Sequence, residues 1–132
     1  MILYFAADLL WATRIKSTGD AAGIPTRPVR TLEMLESRLV DSPVKGVVVD
    51  LDSPEMAMAL IRRMREAGSD ADRAIPVVAW GPHVAVEVLV AAREAGADAV
   101  LARGAFSRGL IRVLRELESG SAVSGPAEDQ AE

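Results

Sequence analysis

Gly46-Val47-Val48-Val49-Asp50 is the stretch on which the fold turns. An unbroken β-branched run predicts a strand covered on both faces, as in a parallel sheet flanked by helices. It ends on a carboxylate, and Pro54 four residues later predicts the start of a helix, because proline is preorganised for a first helical turn. Met58, Ile61 and Met64 then recur at helical spacing as core filler, and Gly68 predicts the stop.

The same alternation continues on both sides of this unit. Upstream, residues 2–6 form an apolar run, and Asp8 can cap a helix carrying Trp11, Ile15, Thr18 and Ala22 on one face, with Gly23 as its stop. Residues 25–30 are interrupted by prolines and predict an edge strand, where missing amide donors are tolerated. Thr31 caps a helix with Leu32, Leu35 and Leu39 at helical spacing, and Glu33 and Glu36 suit the helix dipole. Downstream, residues 75–80 predict a strand, 84–95 a helix closed by Gly96, and 99–102 a fifth strand. A last helix is expected over 107–117, with Leu110, Val113 and Leu114 facing in. Five β-then-α units predict an α/β domain with a five-stranded, doubly wound parallel sheet. That domain covers residues 1–118. Residues 119–132, rich in Ser, Gly, Ala and acids, are expected to be a disordered tail.

Composition narrows the function classes. The chain has 132 residues, enough for one domain with a real core, and 50% hydrophobic against 26% charged residues is a globular balance. Fifteen basic against nineteen acidic residues, with no basic run, argue against a nucleic-acid partner. Absence of cysteine excludes disulfides and thiolate metal sites. The apolar N-terminus lacks a cationic lead and is broken by Asp8, and no later stretch is long enough to span a bilayer, so a cytoplasmic protein is expected. Trp11 and Trp80 have no basic groove beside them and are expected to pack rather than stack on bases. No Gly-x-Gly-x-x-Gly, P-loop, nucleophile elbow or histidine pair is present, so catalysis is not expected.

Functional residues of an open parallel sheet gather beyond the carboxyl ends of its strands. The polar residues that reach this crevice are Asp8 after the first strand, Asp50 and Asp52 after the third, and Arg103 after the fifth. Gly81 and His83, the sole histidine, follow the fourth.

In order and spacing these blocks resemble the receiver domain of bacterial response regulators, a flavodoxin-like (βα)5 fold. Val47-Val-Val-Asp50-Leu-Asp-Ser-Pro54 resembles the block in which a phosphoacceptor aspartate ends strand three. Ile75-Pro-Val-Val-Ala-Trp-Gly81, Ala91-Ala-Arg-Glu-Ala-Gly-Ala-Asp98 and Val100-Leu-Ala-Arg103-Gly-Ala-Phe106 resemble the fourth strand, the end of the fourth helix and the strand-five Lys-Pro-Phe segment. The resemblance spans about residues 2–118 and implies Asp50 as the phosphoacceptor position.

The departures cluster in the pocket. The two adjacent acids that hold Mg²⁺ in receivers are replaced by Ala6-Ala7, and Asp8 stands one position late. Thr or Ser at the end of strand four is replaced by Gly81, the switch aromatic by Val100 and the lysine by Arg103. Asp50 alone is intact. Mg²⁺ wants several hard oxygen ligands, so no metal or other cofactor is expected, a weak site of Asp8 and Asp50 being the alternative. Without two neighbouring acids, the pKa of Asp50 need not rise, and Arg103 is expected to pair with it bidentately. For Asp52 and Asp8 capping or solvation is expected, and for His83 a solvated loop position.

The resemblance also implies a partner surface on the fourth helix and fifth strand, through Val86, Leu89, Val90, Val100 and Ala102. The resulting expectation is an atypical, phosphorylation-independent receiver that is not an enzyme. It would act by binding another signalling protein or a second copy of itself, with no nucleic-acid or membrane partner. The alternatives are an ordinary receiver phosphorylated on Asp50 by a histidine kinase and a small-ligand-binding domain of the same fold.

Overall fold

The computed structural model describes residues 1–66, 68–121 and 123. Its five strands are β1 (Ile2–Phe5), β2 (Thr26–Pro28), β3 (Gly46–Asp50), β4 (Val77–Gly81) and β5 (Ala99–Ala102). All pair in parallel in the order β2-β1-β3-β4-β5. The chain runs outward from β1 to β2 and returns on the other side at β3. The reversal opens the crevice between the carboxyl ends of β1 and β3.

Strand alternation sorts side chains onto two cores. Val47, Val49, Val77 and Ala79 face one core, closed by Leu35 of helix α2 (Leu32–Asp41), Ala57, Leu60, Ile61 and Met64 of α3 (Pro54–Arg65), and Ala92 of α5 (Val86–Ala95). Val48, Val78 and Trp80 face the other, against Ile15 of α1 (Leu9–Ala22), Phe106 of α6 (Arg103–Arg108) and four residues of α7 (Leu110–Ser119). Every residue of β3 is buried, as the β-branched run predicts. Trp80 is fully buried and stacks on Phe106 with centroids 4.2 Å apart, with Trp11 5.4 Å from both. These aromatics pack, as expected.

Local chemistry sets the boundaries. The side chains of Asp8 and Thr31 accept the amides of Trp11 and Met34, capping α1 and α2. Gly23 and Gly96 close α1 and α5 at φ 71° and 116°, a region costly for any residue with a β-carbon. β2 lies at the sheet edge, as its prolines require. β1 uses the carbonyl of Pro25 and the amide of Val29, so the alternation turns the nitrogen of Pro28 outward.

Four boundaries differ from expectation. β4 starts at Val77 and runs on to Gly81. Helix α3 stops at Arg65, and a short turn α4 (Asp70–Arg73) follows, capped by Ser69; four residues, three of them charged, carry no periodic signal. Helix α5 begins at Val86, because Pro82 and the Pro82–Ala85 turn hold the preceding loop. The last helix is two: the chain turns helical at Arg103 directly after β5, and Gly109 separates α6 from α7. Burying Phe106 against Trp80 requires that early turn. Of the expected tail, residues 122 and 124–132 lie outside the described residues, and Ser119 completes α7.

Candidate functional site

Asp50 ends β3 on the side of the sheet that carries Val48 and Trp80, and it pairs in register with Trp80. The residue is 1% exposed. One carboxylate oxygen, Oδ2, accepts the amide of Ala7 at 2.8 Å, and the other, Oδ1, accepts the amide of Asp52 at 3.0 Å. Burial pushes its carboxyl above the ordinary value, the two amides pull it back, and the nearby charges of Asp52 and Asp8 push it up again. This corrects the expectation of an unraised pKa. Removing two acids removes repulsion, but loss of water is the larger influence here.

Arg103 does not meet Asp50. Its terminal nitrogen Nη2 donates to Oδ2 of Asp52 at 2.7 Å, so the expected bidentate pair is replaced by a single bond to a different acid. Both oxygens of Asp50 already accept amides beneath the surface, whereas Asp52 stands at the exposed rim. From the start of α6 the arginine crosses the carboxyl end of β4 to reach the β3 loop. Both partners are over one-third exposed, which keeps the pair to within about 1 kcal/mol.

Asp8 is exposed, and its Oδ1 serves the α1 cap, the role the sequence expects. Gly81 is buried at the end of β4; a β-carbon there would lie 3.0 Å from Cβ of Leu51 and 3.6 Å from Cδ2 of Leu89. Leucine side chains therefore flank the position where a receiver carries a hydroxyl. His83 is exposed in the β4–α5 loop and makes no hydrogen bond to another described residue.

The donor set does not fit Mg²⁺. Ala6 and Ala7 offer no side-chain ligand, Asp8 caps a helix, Asp52 holds Arg103, and each oxygen of Asp50 accepts an amide. Among the described residues no group of three or more His, Asp or Glu could hold a metal ion. No described helix is long and apolar enough to cross a membrane.

The residues expected to form the partner surface divide. Val86 and Val90 are 60% and 49% exposed on α5, but Leu89 is partly buried against the core and Ala102 is half-buried. Val100 is a correction: at 4% exposed it faces the core that α5 covers, so it offers nothing to a partner. Val84, 76% exposed, joins Val86 at this end; reading it as part of a helix hid it.

No family model matches the chain, and no curated protein matches it. Its likeness is to solved structures. The receiver domain of a signal transduction histidine kinase from Syntrophus aciditrophicus is 25% identical, covering 90% of this chain and 89% of that one, with a TM-score of 0.73. A response regulator from Thermotoga maritima is 17% identical over 89% of this chain and 96% of its own, with a TM-score of 0.70. A chemotaxis response regulator of Vibrio cholerae is 13% identical over 88% and 96%, with a TM-score of 0.69. The fold is that of receiver domains.

Proposed function

We propose that this chain is a degenerate receiver that works in bacterial signalling by binding another protein, without accepting phosphate, holding a metal or acting as an enzyme. The observation that carries the reading is the state of Asp50: 1% exposed, with each carboxylate oxygen accepting a main-chain amide. Phosphoryl transfer needs an accessible nucleophile and a cation over the phosphoryl oxygens. Here the nucleophile is covered, the acids that would bring a metal are absent or engaged, and the arginine is tied to Asp52. A cytoplasmic location accords with this role. Partner contact is assigned to the exposed aliphatics Val84, Val86 and Val90, since apolar side chains gathered at one surface mark interaction sites.

Beryllofluoride with Mg²⁺, a mimic of the phosphorylated aspartate, tests the reading by amide NMR. The expected result is no saturable shift at Ala7, Asp50 or Asp52. Saturable shifts there, lost in Asp50→Asn, would install the ordinary phosphorylated receiver in its place.

A further inference from the structure

Away from the crevice, a groove of about 300 Å³ runs between α1 and the chain that leaves β2. Tyr4 of β1 lines it while being only 6% exposed. Its hydroxyl makes no hydrogen bond to a described residue and is open to the groove. A phenol buried along its ring ordinarily finds a partner for its hydroxyl.

Two cations line the same groove. Arg30 is exposed and forms no ion pair with a described residue. Lys16 donates to Asp20 at 2.9 Å and lines the groove together with Tyr4. An ammonium has three donors, so the bond to Asp20 leaves others to offer. With Asp20 in the lining, two positive charges face one negative, and Leu9 and Ala12 add an apolar wall.

We propose that this groove binds a small oxyanion, a carboxylate or phosphate group on a compact body, held by Arg30 and Lys16 with the Tyr4 hydroxyl donating from the floor. The inference goes beyond the proposed function and does not depend on it, because no crevice residue takes part. Tyr4 is the single tyrosine of the chain, so a ring-labelled sample gives one reporter.

The test titrates the labelled protein with inorganic phosphate and, separately, with acetate, using chloride to match ionic strength. A saturable Tyr4 shift is expected, and Arg30→Gln should weaken the binding about tenfold, as loss of a charged hydrogen-bond partner does. Saturation by phosphate alone or acetate alone assigns the ligand class, and saturation by both assigns oxyanions in general. In Tyr4→Phe the same loss is read from the α1 amides, whose shifts also report that the variant is folded. Shifts no larger than those of chloride, or unchanged in Arg30→Gln, would overturn the proposal.

Discussion

The two ends of the sheet treat a carboxylate in opposite ways. At the amino end, Oδ2 of Asp98 accepts the amide of Val77 at 2.7 Å and also meets the guanidinium of Arg65 at 3.2 Å, with the acid half open to water. Arg65 further donates to the carbonyls of Arg73 and Ile75, so one side chain ties α3 to the segment entering β4 and to the start of β5. At the carboxyl end, Asp50 also accepts amides, but it is buried and meets no cation among the described residues. The charge-compensated acid belongs to the scaffold. The uncompensated one sits where the fold places its functional crevice, and its raised pKa is the consequence.

Breaking the amino end should have the largest effect. Arg65→Ala removes donors to two carbonyls and to Asp98, and is expected to lower stability by roughly 2–3 kcal/mol in urea denaturation. An Arg65→Ala protein as stable as the parent would show that this end is not the stapled one.

The carboxyl end should instead show itself in pH dependence. Because the folded carboxyl of Asp50 titrates above its unfolded value, the native state binds more protons between those two values. Stability therefore falls as pH rises through that window and stays lower above it. Asp50→Asn is expected to abolish that part of the slope in pH-resolved denaturation, and an unchanged slope would assign it to another group.

Arg103→Ala should matter least. It removes an exposed pair and is expected to cost no more than about 1 kcal/mol, with the NMR titration of Asp50 close to that of the parent. A marked rise in the Asp50 midpoint after losing the arginine would be hard to reconcile with a guanidinium held on Asp52.

What was legible in the sequence follows the range of the interaction concerned. The bounds of β3, the caps at Asp8 and Thr31, and the stops at Gly23 and Gly96 depend on a few neighbouring residues, and each is where the sequence places it. The position of Asp50 at a strand end was equally plain. Its environment was not, because the amide of Ala7 comes from the loop after β1 and its neighbour Trp80 from β4. The partner of Arg103 was misread for the same reason: two acids two residues apart look alike in sequence, and only burial separates Asp50 from Asp52. Val100 was placed on the partner surface by the receiver resemblance, yet its side of β5 lies under α5. The Tyr4 groove left no motif, since Tyr4, Lys16 and Arg30 come from β1, α1 and the chain after β2 and meet only in the fold.

The central claim is that Asp50 is out of reach of phosphoryl donors. Incubating the protein with acetyl phosphate and Mg²⁺ and weighing it intact tests this most directly. The account predicts a mass unchanged from the untreated chain. A phosphoryl adduct that forms in the parent and vanishes in Asp50→Asn would contradict it.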